Sequence, residues 1–205
     1  RLAKEVGLSL LAVTDHDTTS GLEEATAEGR LLGVEILPGC EISTRIPEGN
    51  VHVLGLGFEP GDAGFQAFLA HVREARDRRN DVLFEKLARL GLPLTREEVQ
   101  AFAHGRIVAR PHFARAMVAR GYVPDLRAAF QQFLKDGGPA YVEVEAPHPK
   151  AAVHAIRAGG GVAVIAHPGQ IHLTTREDYD VFLRALAAEG LGGIEVWHPS
   201  HDVVQ

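Results

Sequence analysis

Short apolar runs alternate with amphipathic stretches over most of the chain. The apolar runs are bounded by Pro, Gly and polar turn residues, which is typical of strands, whereas the amphipathic stretches repeat with helical spacing. The predicted strands are residues 8–13, 34–37, 41–44, 51–57, 161–166 and 193–197. The predicted helices among them are residues 21–32, 149–158 and 176–189. This order predicts an α/β fold with a mainly parallel sheet, open or closed as a barrel, whose functional residues gather at the carboxyl ends of the strands.

A long helical pattern interrupts this alternation. From residue 62 to about 136 the apolar positions recur every three or four residues, as in Phe65, Phe68, Leu69 and Val72. We therefore expect a core made of residues 1–61 and 141–205 and a helical insertion at 62–140.

The basic residues concentrate in that helical stretch. Residues 71–120 hold 11 of the 21 Lys and Arg but 6 of the 27 Asp and Glu, so this segment carries +5 while the remainder carries −11. The formal net charge of −6 argues against binding nucleic acid over the whole surface. We expect no stable nucleic-acid complex.

No run of roughly 18 apolar residues and no charged-then-apolar leader occurs, which predicts a cytoplasmic protein without a membrane segment. Cys40 is the single cysteine, and its setting predicts a small buried filler and no redox chemistry.

Histidines and carboxylates fall repeatedly at the predicted strand ends. The first strand ends at Asp15, His16 and Asp17, and further members of the set lie in or after other strands. These further members are Glu41, His52, His167, His198 and His201. Neutral imidazole and ionised carboxylate are ligands for Zn, Mn and Fe(II), and a cluster drawn from several strand ends could hold two or three ions. Closely spaced metal ions suit phosphoryl transfer, because they polarise the phosphoryl oxygen and activate water.

Five successive segments resemble the motifs of PHP-domain (polymerase and histidinol phosphatase) phosphoesterases. They are LAVTDHDTTSG at 11–21, PGCEIS at 38–43, HVLG at 52–55, IAHP at 165–168 and EVWHPSH at 195–201. Within that family the sequence is most similar to the branch of 3',5'-nucleoside bisphosphate phosphatases and 5'-3' exoribonucleases. The family's His-x-His pair on the first strand and Asp-x-His pair on the last are not present in this sequence.

The resemblance implies a distorted (β/α)7 barrel of PHP type with a helical insertion that covers the active site. Because the outer motifs are absent, we expect this barrel to be incomplete at both ends. The resemblance also implies a site with two to three Mn, Fe or Zn ions, in which His16 binds one metal and Glu41 bridges two. His52 and His167 would complete the ligand set of another metal ion, and Asp15 is a further candidate ligand.

The same resemblance assigns the basic insertion to the substrate's phosphates, since guanidinium groups match phosphate oxygens in a bidentate manner. The candidate substrate-binding residues are Arg78, Arg79, Asn80, Arg110 and His112. His198 or His201 could protonate the departing alkoxide or contact the phosphate, and with His16 they are the candidate catalytic histidines. Trp197 is expected in the core or in a pocket wall.

We therefore predict a metal-dependent phosphoesterase in which metal-bound hydroxide attacks phosphorus. The expected substrates are 3',5'-bisphosphonucleotides or short 5'-phosphorylated RNA. The alternatives are a histidinol-phosphate type of small-molecule phosphatase and a noncatalytic PHP module that regulates a partner. A nucleic-acid-binding module without chemistry is a further alternative, which the limited extent of the basic region disfavours.

Overall fold

The computed structural model describes residues 1–103, 105, 107–199 and 201. The chain divides into two compact units, one made of residues 1–72 and 146–205 and the other of residues 73–145. The first unit contains all the strands found in the described residues: β1 Leu10–Val13, β2 Glu35–Ile46, β3 Gly49–Leu56, β4 Val162–Ile165 and β5 Gly193–Ile194. Its helices are α1 Leu2–Glu5, α2 Leu22–Leu32, α7 Pro149–Ala158, a 3₁₀ turn Pro168–Gln170 and α8 Arg176–Ala188. That the helical segment 62–140 is an insertion covering the active site stays a prediction.

The five strands form one mixed sheet in the order β1-β2-β3-β4-β5. β1 pairs with β2, and β4 with β5, in parallel, but β3 is antiparallel to both of its neighbours. The expectation of a mainly parallel sheet was therefore wrong, whereas the α/β class is confirmed. Only Pro47 and Glu48 separate β2 from β3, and so short a connection can join only antiparallel strands. The seven-stranded barrel stays a prediction.

β2 is one strand of 12 residues, where the sequence predicted two strands separated by Pro38 and Gly39. Its first part pairs with β1 as far as Pro38, and from Gly39 onward it pairs with β3. A Cβ atom at Gly39 would lie 2.6 Å from the Val13 carbonyl oxygen, so only glycine lets the two strands approach this closely. The Pro-Gly pair therefore marks the point where β2 changes partner rather than a break in the strand.

The core of the first unit lies between one face of the sheet and its helices. Alternate residues of β2 and β3 point inward, and Cys40, Ile42 and Val53 are fully buried there, which bears out the prediction for Cys40. Helix α7 presents Val153 and Ile156 to this core. One face of the sheet is thus filled with apolar side chains, which leaves the opposite face for the polar members of the same strands.

Helix α3, Ala63–Arg89, begins in the first unit and ends in the second. The second unit also contains α4 Arg96–Gln100, α5 Arg110–Ala119, α6 Leu126–Ala129 and a π-helical turn Phe130–Leu134. Its own apolar core includes Leu83, Leu87, Phe113 and Met117. The Thr95 side chain and the Glu98 side chain form a reciprocal capping box that begins α4.

Trp197 departs from its expected place. Its exposed fraction is 89%, so it lies neither in the core nor in a closed pocket wall of the described structure. β5 ends at Ile194, its pairing with β4 continues only as far as Glu195, and residues 196–199 lie outside any strand, so the alternation that would turn Trp197 inward stops before it. Among the helices of the described residues, none is long and apolar enough to cross a membrane.

Candidate metal centre

The polar face of the sheet carries the first two members of the site. In β2, Glu41 and Ser43 alternate with the buried residues Cys40 and Ile42, so they point to the face opposite the core. Ser43 pairs with His52 across the antiparallel ladder, and directly paired residues share a face. Glu41 and His52 therefore emerge side by side from neighbouring strands.

His16 and His167 reach the same place from the ends of two other strands. His16 follows β1 and forms an isolated parallel bridge with Glu41, and the backbone N–H of Asp17 donates to the Glu41 carbonyl at 3.0 Å. His167 follows β4, and the N–H of Ala166 before it donates to the His52 carbonyl at 3.0 Å. Backbone hydrogen bonds thus anchor both loops beside the strands that carry Glu41 and His52.

Three side-chain atoms form a tight triangle at the centre of this group. Glu41 Oε1 lies 2.8 Å from His52 Nδ1 and 3.0 Å from His167 Nε2, and the two nitrogens are 3.1 Å apart. His16 Nε2 lies 3.9 Å from Glu41 Oε2 on the other side of the carboxylate. The structure therefore brings together His16, Glu41, His52 and His167, which the sequence places up to 151 positions apart.

This arrangement fits a divalent metal ion. Ligand atoms that bind one transition-metal ion at about 2.0–2.2 Å are separated from each other by about 3 Å, as the three atoms of the triangle are. His16, Glu41 and His52 also offer ligand atoms that all lie within 4.8 Å of one another. The buried Nδ1 of His167 has no hydrogen-bond partner among the described residues, which leaves a further nitrogen of the site unsatisfied. Imidazole and carboxylate together suit Mn, Fe and Zn alike.

The electrostatics of the cluster favour an ionised Glu41. Burial by itself raises the pKa of the Glu41 carboxyl, but its hydrogen bonds with His167 and His52, and its interaction with His16, lower that pKa far more. The net result is a pKa well below the ordinary value for glutamate. The hydrogen bond with Glu41 raises the pKa of His167 in turn, against the opposing effect of burial.

The backbone of His167 has an unusual conformation. Its φ of 29° lies in the left-handed region, and Asp17 is the only other non-glycine residue with positive φ in the described part of the chain. The backbone N–H of His167 donates to Glu195 Oε2 at 2.6 Å. Sequence reasoning missed Glu195, although it begins the motif EVWHPSH, because a carboxylate that binds backbone gives no ligand-like signal.

Asp15 and Asp17, on either side of His16, have different surroundings. Asp15 is exposed, and its role as a metal ligand stays a prediction. Asp17 is fully buried, and its carboxylate accepts hydrogen bonds from the Ser43 N–H at 2.7 Å and the Ser43 hydroxyl at 2.9 Å. Asp17 thus ties the loop that carries His16 to β2 close to Glu41.

The two candidate histidines after β5, His198 and His201, continue a row of neighbouring imidazole rings that starts at His167. The His198 ring centroid lies 5.3 Å from that of His167, and the His201 centroid lies 5.4 Å from that of His198. His201 Nδ1 is 3.1 Å from the Val196 carbonyl oxygen, and the Gly169 N–H donates to His201 Nε2 at 3.4 Å. Both histidines therefore lie beside the cluster, with His201 held by backbone groups.

The second unit holds the candidate substrate-binding residues, and they differ in exposure. Arg79 and Asn80 are buried, with exposed fractions of 5% and 4%, whereas Arg78 is exposed. Arg79 Nε has no hydrogen-bond partner among the described residues. Burial, together with the positive charges of the nearby Arg76 and Arg110, lowers the pKa of the Arg79 guanidinium to about 10. A buried cation beside like charges is a feature that an anion would stabilise.

Arg110 and His112 begin helix α5. Arg110 donates to the Leu134 carbonyl at 3.2 Å and to Asp136 Oδ1 at 2.8 Å, and its guanidinium carbon lies 5.5 Å from the centroid of the Tyr141 ring. His112 Nδ1 accepts a hydrogen bond from the Ala109 N–H at 3.0 Å, which caps the helix. In this arrangement His112 has a structural role at the helix start.

Several known proteins are similar to this chain. No protein-family model matches the chain. A 5'-3' exoribonuclease from Haemophilus influenzae is 34% identical over 168 residues, which cover 82% of this chain and 61% of that protein. A 3',5'-nucleoside bisphosphate phosphatase from Chromobacterium violaceum is 35% identical over 196 residues, which cover 95% and 68%. A phosphoribosyl 1,2-cyclic phosphate 1,2-diphosphodiesterase from Eggerthella lenta is 33% identical over 205 residues, which cover 97% and 75%.

Two solved structures share the fold. An amidohydrolase from Chromobacterium violaceum with bound sulfate and no metal has a TM-score of 0.89 at 34% identity, covering 98% of this chain and 71% of that chain. A Bifidobacterium adolescentis protein described as a metal-dependent phosphoesterase has a TM-score of 0.87 at 32% identity, covering 100% and 72%. The chain belongs to the PHP family of phosphoesterases, as the resemblance of its motifs indicated. It spans 61% of the length of the Haemophilus relative and 68% of that of the Chromobacterium relative.

Proposed function

We propose that the protein hydrolyses a phosphate ester in a reaction that depends on divalent metal ions. The observation that supports this most directly is the triangle of Glu41 Oε1, His52 Nδ1 and His167 Nε2, with all three separations between 2.8 and 3.1 Å. The family to which the chain belongs supports the same reaction class. A location in the cytoplasm is part of this proposal.

Four side chains would hold the metal ions. Glu41, whose pKa lies well below the ordinary value, supplies a carboxylate that stays ionised, and its two oxygens face different histidines, as a bridging ligand requires. His52 and His167 lie on its Oε1 side and His16 on its Oε2 side. Ions bound there would polarise the phosphoryl oxygen and lower the pKa of a water molecule. The proposed ions are two to three Mn, Fe or Zn.

Two further histidines, His198 and His201, are proposed to donate a proton to the leaving group. An alkoxide departs poorly unless it is protonated, and imidazole is the side chain that can carry a proton near neutral pH. His198 lies next to His167 in the row of imidazoles, and His201 follows it. His16, whose side chain is 47% exposed, is the member of the cluster most open to solvent and is proposed to act in catalysis as well as in metal binding.

The arginines of the second unit are proposed to bind the substrate's phosphate groups. Arg79 supports this most strongly, because its buried Nε has no partner in the described residues and its neighbours Arg76 and Arg110 add positive charge. Arg110 is already paired with Asp136, so a phosphate would compete with that carboxylate. Arg78, Asn80 and His112 stay candidates, with Arg78 the most accessible of the three.

The proposed substrates are 3',5'-bisphosphonucleotides and short 5'-phosphorylated RNA. The Chromobacterium and Haemophilus relatives support these two substrate classes respectively. A second candidate is a cyclic phosphodiester of ribose, which the similarity to the Eggerthella diesterase supports. Turnover of a bisphosphonucleotide, a short 5'-phosphorylated RNA and a cyclic ribosyl phosphate, measured side by side with the full-length protein, distinguishes these activities.

Release of inorganic phosphate from a 3',5'-bisphosphonucleotide tests the proposal. We expect Mn²⁺-dependent release by the full-length protein, abolished by EDTA and restored by added Mn²⁺. The His52→Ala variant should lose at least about 100-fold in kcat/KM, because a missing ligand weakens the centre. The matched control is His71→Ala, which removes an exposed histidine of α3 and should keep parental turnover. Equal activity of the His52 variant and the parent would refute the assignment of the metal centre.

A further inference from the structure

The contact between Glu195 and the backbone of His167 carries an inference about how the metal centre is organised. His167 has φ 29° and ψ 59° and is followed directly by Pro168. L-residues rarely adopt left-handed backbone, and a residue before proline is restricted further. A specific contact must therefore stabilise this peptide. The His167 N–H donates to Glu195 Oε2 at 2.6 Å.

The surrounding backbone shows how Glu195 reaches that peptide. Its own N–H donates to the Ile165 carbonyl at 2.8 Å, which continues the parallel pairing of β4 with β5 for one more residue. The side chain then accepts the N–H of His167, two residues beyond the end of β4. Ala166 is bound on the other side, by the His52 carbonyl of β3. The end of β4 is thus held from both neighbouring strands.

The contact with Glu195 bears on the position of the His167 imidazole. The backbone conformation at His167 fixes the direction of its Cβ atom, and through it the place of Nε2, which lies 3.0 Å from Glu41 Oε1 and 3.1 Å from His52 Nδ1. Without an acceptor for the His167 N–H, this peptide could relax to a more ordinary conformation and carry the ring away from Glu41. Partners that orient ligands commonly affect metal affinity about 10- to 100-fold.

We propose that Glu195 is a positioning residue, whose carboxylate holds the left-handed peptide of His167 and so orients that imidazole for metal binding. Glu195 acts through His167 and not as a ligand. The proposal rests on the metal centre proposed above but not on the identity of the substrate.

Manganese affinity of the full-length, EDTA-treated protein, measured by titration calorimetry, tests the proposal with three variants. Glu195→Ala removes the acceptor and should weaken Mn²⁺ binding by about tenfold or more. Glu195→Gln keeps an acceptor oxygen without the charge and should stay much closer to the parent, within about threefold. Glu177→Ala, which removes an exposed carboxylate of α8, is the control and should match the parent.

Two further measurements keep a structural defect apart from a positioning effect. The amide proton of His167 should shift upfield in the metal-free Glu195→Ala variant and remain near its parental position in Glu195→Gln. In the activity assay, Glu195→Ala should lower kcat while KM for the nucleotide changes little.

Three results would overturn the proposal. Parental Mn²⁺ affinity in Glu195→Ala would show that the contact does not matter for the metal centre. An equal loss in Glu195→Gln and Glu195→Ala would show that the charge acts, as it would in a direct ligand. An unshifted His167 amide in Glu195→Ala would show that the hydrogen bond is not formed. By contrast, unchanged Mn²⁺ binding in His52→Ala would refute the metal centre itself, which distinguishes failure of the proposed function from failure of this inference.

Discussion

Arg79 offers a quantitative test of anion binding, because its burial has a cost that can be worked out from the structure. The residue is 5% exposed, its Nε has no partner in the described residues, and its pKa is lowered from the ordinary value for arginine to about 10. At about 1.4 kcal/mol per pKa unit, that fall corresponds to about 3 kcal/mol. A lowered pKa means that the fold disfavours the charged form, so the cost is fully present at pH 7 and disappears only as the pH rises from about 10 towards the ordinary pKa of arginine.

The Arg79→Met variant removes this charge and keeps an apolar stem. In a buffer without multivalent anions we expect its free energy of unfolding to exceed that of the parent by about 1 to 3 kcal/mol, since the buried charge is relieved. Inorganic phosphate should reverse the order. At ten times its Kd it should stabilise the parent by about 1.4 kcal/mol, and it should leave the variant almost unchanged.

Urea unfolding followed by circular dichroism, with and without phosphate, measures both quantities. Arg115→Met is the matched control, because Arg115 is an exposed arginine of α5 in the same unit. It should leave the stability and the phosphate effect at their parental values. The reasoning fails if Arg79→Met is less stable than the parent in both buffers, or if phosphate stabilises the two proteins equally.

Three other predictions concern the supports of the site. Asp17→Ala should lower the free energy of unfolding by about 3 kcal/mol, because the Ser43 N–H and hydroxyl lose a charged acceptor, and Asp17→Asn should lower it less; urea unfolding of both variants checks the order. Mn²⁺ affinity measured by calorimetry should decrease as the pH falls, starting above pH 6.5, because the pKa of His167 is raised and a proton must leave before the metal binds; a pH-independent affinity would contradict this. Gly39→Ala should lower the melting temperature and cost about 2 to 3 kcal/mol, because the new Cβ would lie 2.6 Å from the Val13 carbonyl oxygen, and an unchanged melting temperature would argue against so close an approach.

The sequence predicted the family and the residues that gather at the metal centre. The physical reason for the second prediction is that the carboxyl ends of parallel strands lie at the same edge of a sheet. His16 and His167 follow strands of parallel pairs, so the carboxyl ends of those strands bring them to one edge. Glu41 and His52 lie within a hairpin, whose antiparallel direction the sequence analysis did not foresee. They meet because pairing places Ser43 opposite His52, which is a matter of register and not of strand ends.

Contacts to backbone were harder to predict. Asp17 and Glu195 both accept hydrogen bonds from peptide N–H groups, and each contact includes a residue with positive φ, either Asp17 itself or His167. Left-handed backbone at non-glycine residues leaves no pattern in a single sequence. On α3 the sequence analysis assigned three consecutive residues, Arg78, Arg79 and Asn80, to substrate binding. Successive helical residues are rotated by about 100°, so three in a row cannot all share one face. The structure buries Arg79 and Asn80 and leaves Arg78 exposed.

The most direct test of the account is a crystal structure of the Mn²⁺-loaded protein with an anomalous difference map collected at the manganese edge. The account predicts a strong peak enclosed by Glu41, His52 and His167, about 2.2 Å from ligand atoms of these side chains, and no such peak in crystals of His52→Ala. A fully loaded, active protein whose manganese lies elsewhere, with these three side chains still bound to one another, would contradict it.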